Sequence, residues 1–140
     1  MAAVTDSTDA VKNSLMIDQR KAGVVYCRSA KYVNDGAKDA NSIIKMVPLP
    51  SGARVIKVDY ITSALDTGVT VDIGDDTTID KYFDGADCAA AGSASAIMDL
   101  ELTADEDVQM KILGAALPDE AVLSLHVWYK MADSIVDEEA

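Results

Sequence analysis

Apolar residues recur at every second position through the last third of the chain: Met98, Leu100 and Leu102, then Val108, Met110 and Ile112, then Leu123, Leu125, Val127 and Tyr129. Successive side chains of a strand point to opposite faces, so this period buries one face and leaves the other wet. The stretches TADED and GAALPDE part the three runs with turn-forming residues. Alternation this steady, with turns about every 8–12 residues, is the pattern of an antiparallel sandwich.

The same rhythm extends upstream. Pro48, Pro50 and Gly52 end one extended segment and reverse the chain, after which residues 53–62 and 68–73 alternate again. On the first of these Ile56, Val58 and Tyr60 are expected to share a face opposite Lys57 and Asp59; on the second Val69, Val71 and Ile73 oppose Thr70 and Asp72. Residues 23–33 and 41–49 read as two strands flanking the loop NDGAKDAN. Thr77 stands three residues before Asp80, a capping-box spacing, which predicts a short helix over 78–84 stopped by Gly85. Ile79, Tyr82 and Phe83 would give that helix one apolar face to plug an open end of the sandwich. CAAAGSASA follows as a small-residue link. The expected fold is all-β, an antiparallel β-sandwich of about eight strands with one short helix. The polar residues 1–20 read as an N-terminal arm, 21–131 as the sandwich domain and 132–140 as an acidic tail.

Composition narrows the functional classes. The chain has 140 residues, 49% of them hydrophobic, enough for one domain with a core that needs no disulfide staples. Its apolar runs are far shorter than a bilayer span, and MAAVTDSTDAVKNS lacks the apolar core of a signal peptide, so a soluble protein made in the cytoplasm is expected. The net charge of −12 is unevenly spread: residues 1–57 carry nine Lys or Arg against five Asp, and residues 58–140 carry three against nineteen Asp or Glu. The acidic part repels nucleic acid and anionic membrane. The basic part suits acidic surface on a neighbouring copy or subunit, where charge sets orientation more than affinity.

Site chemistry is sparse. Cys27 and Cys88 stand in no C-x-x-C pair and there is one histidine, so zinc is not indicated and two free thiols are the plain reading, with a disulfide left open. Asp72, Asp75, Asp76, Asp80, Asp84 and Asp87 gather oxygens that calcium could use, but no register supplies the EF-hand positions. His126 sits within an alternating strand, in phase with Ser124 and Trp128, and the chain has no G-x-S-x-G elbow, Walker A loop or G-x-G-x-x-G. No enzyme and no cofactor are expected. A sugar-binding or receptor-binding sandwich would need exposed aromatics, for which Trp128, Tyr129, Tyr32 and Tyr82 are the candidates.

Three pieces in order, LPSGARV at 49–55, DIGDD at 72–76 and DKYFDGAD at 80–87, resemble a segment of small head proteins of tailed bacteriophages. The resemblance covers about a third of the chain by motif. It implies a jelly-roll-like sandwich that decorates or cements the capsid shell, often as a trimer, with the phage major capsid protein as partner and the virion as its place. It carries over no catalytic residue. A head–tail joining role is the alternative within the same class. For contacts, the residues to watch are Arg20 and Lys21 at the end of the arm, and Trp128 and Tyr129 on the last strand, one of which must face outward.

Overall fold

The computed structural model describes residues 3–8 and 24–131; Arg20, Lys21 and the tail at 132–140 lie outside them. Nine strands form among the described residues: β1 (Thr5–Ser7), β2 (Val25–Val33), β3 (Ile43–Leu49), β4 (Ala53–Thr62), β5 (Thr70–Gly74), β6 (Phe83–Asp87), β7 (Gly92–Glu101), β8 (Glu106–Leu113) and β9 (Val122–Met131).

Strands β2 to β9 pair like one long hairpin folded over. The innermost pair is β5 with β6; around it lie β4 with β7, β3 with β8 and β2 with β9, all antiparallel. Two cross-pairings, β4 with β9 and β5 with β8, roll this hairpin into two sheets of order 2-9-4-7 and 3-8-5-6. Eight strands wound in this way are a jelly roll. The short β1 joins the second sheet beside β3, running parallel to it, so that sheet is mixed and five-stranded.

The core lies between the sheets and is built as the alternation requires. Leu123, Leu125, Val127 and Tyr129 of β9 face Val108, Met110 and Ile112 of β8 and Val71 and Ile73 of β5, all buried in one cluster. The pattern slips in β4. Its pairing skips Ile56 on both sides, a bulge that places two residues against one. Val55, Val58 and Tyr60 are therefore the buried set, and Ile56, expected on that face, is only partly buried.

The helix expected over 78–84 does not form: the described residues contain no helix, and the segment is a turn leading into β6. Asp75, not a threonine, takes the capping position, its Oδ1 accepting from the Thr77 and Thr78 N–H groups at 3.0 and 2.6 Å. The Tyr82 N–H then donates to the Ile73 carbonyl at 2.8 Å, which commits the chain to the sheet before a second helical turn is made. Gly74 permits the closure, since a Cβ there would lie 2.2 Å from the Thr78 carbonyl oxygen. The expected link at 88–96 is likewise shorter, because β7 already begins at Gly92.

Candidate assembly surfaces

Alternation sends every second residue of the four-stranded sheet outward, and the register lines them up in rows. One row is Cys27, Trp128, Lys57 and Ile97; the next is Ser29, His126, Asp59 and Ser95. Trp128 is thus the outward member of the aromatic pair on β9. Tyr129 points inward, is 0% exposed and packs against Tyr26 at a ring separation of 5.7 Å, so it belongs to the core and not to a surface. The Lys57 ammonium stands 5.5 Å from the centre of the Trp128 ring and 3.6 Å from the Asp59 carboxylate. The Trp128 Nε1–H is buried and has no partner. Next along the row Ile97 is 86% exposed, and Ile61, Val25 and Val33 are also exposed. These exposed apolar side chains lie on the outward face of the four-stranded sheet, beside the unpaired tryptophan donor.

Ser29 Oγ and His126 Nδ1 are 2.6 Å apart on the same face. Nucleophile and base types in contact invite a catalytic reading, but Ser29 lies exposed on β2, an edge strand of its sheet. The contact restrains the imidazole and joins β2 to β9.

The second surface lies at the end of the roll where the turns 50–52, 75–82 and 102–105 meet. Lys81 reaches Asp75 Oδ2 at 2.8 Å and Glu106 Oε1 at 2.7 Å, and the Tyr82 hydroxyl donates to Glu106 Oε2 at 2.7 Å. Burial raises the Asp75 carboxyl, but the bonds from Lys81 and the Thr78 N–H outweigh it and hold the group at about 2. Burial dominates at Glu106, which is pushed up despite the same lysine. Burial also raises Tyr82, reinforced by its bond to Glu106, so the phenol stays protonated.

Three of the six aspartates weighed for calcium are occupied separately. Asp72 accepts from the Gly85 N–H at 2.6 Å, Asp87 from the Ala89 N–H at 3.0 Å, and Asp75 is held by Lys81 and its own turn. Among the described residues no three carboxylates, cysteines or histidines are grouped to hold a metal. Of the two thiols, Cys27 is exposed and Cys88 buried, and both are free. Of the lectin aromatics, Tyr32 and Tyr82 are buried with their hydroxyls on Asp6 and Glu106.

The charged turn was not singled out from sequence as an ionic centre. Lys81 lies inside the quoted DKYFDGAD, but Glu106 is far from it in the chain, and only the pairing of β5 with β8 brings them together.

No protein-family model matches the chain, and no curated protein matches it by sequence. Its fold does match solved structures. A chain in the capsid of Ralstonia phage GP4 superposes with a TM-score of 0.74 at 20% identity, over 93% of this chain and 99% of that one. A chain of the cyanophage Pam1 capsid asymmetric unit gives 0.67 at 21% identity, over 89% and 97%. One in the capsid of the Helicobacter pylori bacteriophage KHP30 gives 0.60 at 21% identity, over 78% and 89%. These likenesses agree with the jelly-roll fold of the described residues.

Proposed function

We propose that this protein is a structural component of a tailed-phage virion, a decoration or cement protein that binds the major capsid protein and stabilises the head shell. The observation that carries the reading is the fold match to chains that occur in phage capsid structures, over 93% and 89% of this chain and 99% and 97% of those. The head-protein resemblance of the LPSGARV, DIGDD and DKYFDGAD segments agrees with it. Its work is binding and not turnover: many modest contacts repeated by symmetry over a lattice. The outer face of the four-stranded sheet around Trp128 supplies the main contact, and Arg20 and Lys21 add charge contacts. A trimer suits such a module, since a threefold axis lets one patch on each copy meet its neighbours around the axis.

Quantitative mass spectrometry of purified virions tests this directly. Copy numbers comparable to the major shell protein support decoration; a vertex-like stoichiometry moves the protein to the head–tail joint; absence from the particle overturns the reading.

A further inference from the structure

Two cavities at the turn-rich end of the roll, of about 300 and 190 Å³, share Asp76, Asp105 and Glu106 in their walls and so form one two-lobed groove. Its charge is one-sided. Lys81 is already committed to Asp75 and Glu106, and Glu101 to Arg54, while Asp76, Asp105, which accepts from the Ser51 N–H at 2.8 Å, and Asp107 add carboxylates; among the described lining residues the one other cation is Lys45, 4.0 Å from Asp107. An acidic rim alone is an ordinary solvated surface. A second feature sets this one apart. Gln109 lines the smaller lobe, is 1% exposed, and its Nε2 has no hydrogen-bond partner. It faces out of the sheet between Lys45 and Gly74, beneath the turn that closes over Gly74. A buried amide donor left unpaired is costly, so the site favours something that accepts from it.

We infer that the groove receives an extended basic segment of a neighbouring polypeptide. Carboxylates select a guanidinium or ammonium, and the Gln109 amide selects a carbonyl oxygen; a polypeptide with Arg or Lys offers both together. A bare metal ion satisfies neither the N–H donor nor the spacing of the carboxylates, which are not grouped as ligands. A nucleic-acid strand meets the wrong charge. The inference rests on the proposed role in assembly, which supplies the neighbour. It names a second contact, distinct from the Trp128 face.

The test is made in solution on the full chain, apart from any virion. The 15N-labelled protein is titrated with the capped peptide Gly-Arg-Lys-Arg-Gly, with a Gly-Glu-Glu-Glu-Gly peptide and with Ca²⁺, and the Gln109 side-chain amide is followed by NMR. The expected result is a saturable shift of Gln109 with the basic peptide alone, weakened at least tenfold by Asp76→Asn with Asp107→Asn and by raised salt. If the double variant does not fold, Asp76→Asn alone serves, since that side chain lies exposed at the rim. Shifts scattered over the acidic surface without Gln109 overturn the inference, as does a stronger response to Ca²⁺. Binding that appears only after Arg20→Gln with Lys21→Gln also overturns it, because the chain's own segment would then be the occupant. Failure here leaves the virion copy number untouched, and failure there leaves this titration interpretable.

Discussion

The Lys57 ammonium stands over the Trp128 ring at 5.5 Å from its centre, on the solvent face of the sheet whose other face carries Tyr129 into the core. Two neighbours in sequence thus do opposite work. Trp128→Ala should leave folding nearly intact, costing about 1 kcal/mol through the lost cation contact. It should nevertheless weaken binding to shells that lack the protein by about tenfold or more, as loss of a central aromatic does at interfaces. Tyr129→Ala should do the reverse of this, lowering stability by about 3–5 kcal/mol because it empties a packed site. Denaturant melts and pelleting with shells separate the two effects; equal loss of stability in both variants would contradict the assignment of faces.

Acid stability should depend on Asp75. Its folded pKa is lowered from 3.8 to about 2, so the carboxylate stabilises the fold above 3.8 and that contribution disappears as pH falls toward 2. Glu106 is shifted the other way, and its protonation on acidification favours the folded state, which delays the loss. Stability measured by urea melts should hold from pH 7 to about 4 and drop below it. Asp75→Asn should remove most of that pH dependence.

Lys81→Met should be worse than a surface change. It leaves Glu106, whose side chain is 5% exposed, and Asp75 without their shared cation. Breaking a buried pair from one side costs about 3 kcal/mol or more, and part of the loss should return at low pH as Glu106 protonates. A melting temperature equal to wild type at pH 7 would show that the bridge is solvated.

Gly74→Ala should destabilise by about 1–3 kcal/mol through overpacking, because the new methyl meets the Thr78 carbonyl and Ile79 backbone at under 3 Å. Hydrogen exchange should localise the damage to the 75–82 turn and the Gln109 amide beneath it.

The thiols should differ in rate. Cys27 should react with a maleimide in the native protein, while Cys88, buried and raised by that burial, should react only on unfolding. Equal labelling of both in the folded state would contradict the burial of Cys88.

Period-two alternation in β5, β8 and β9 was enough to identify strands and their inward residues, because one face of each is buried and polar residues there would be left without water. In β4 it held for Val58 and Tyr60 but not for Ile56, where a bulge brings Val55 inward in its place without leaving a mark in composition. The capping pattern around Thr77 failed for another reason. The local hydrogen bonds to Asp75 do form, but the distant pairing of Tyr82 with Ile73 competes with helix extension and wins. Outward Trp128 was foreseeable as one of two choices, and burial of Tyr129 against Tyr26 made the choice.

By itself, then, the sequence determined an all-β chain, its turns and most of its core, since those follow from which side chains avoid water along a pleated backbone. Tertiary structure alone decided the nested pairing of the jelly roll, the meeting of Lys81 with Glu106 and the burial of Gln109 in an acidic groove. Each of these joins residues distant in the chain, and no local propensity records which strands will become neighbours when the long hairpin rolls up.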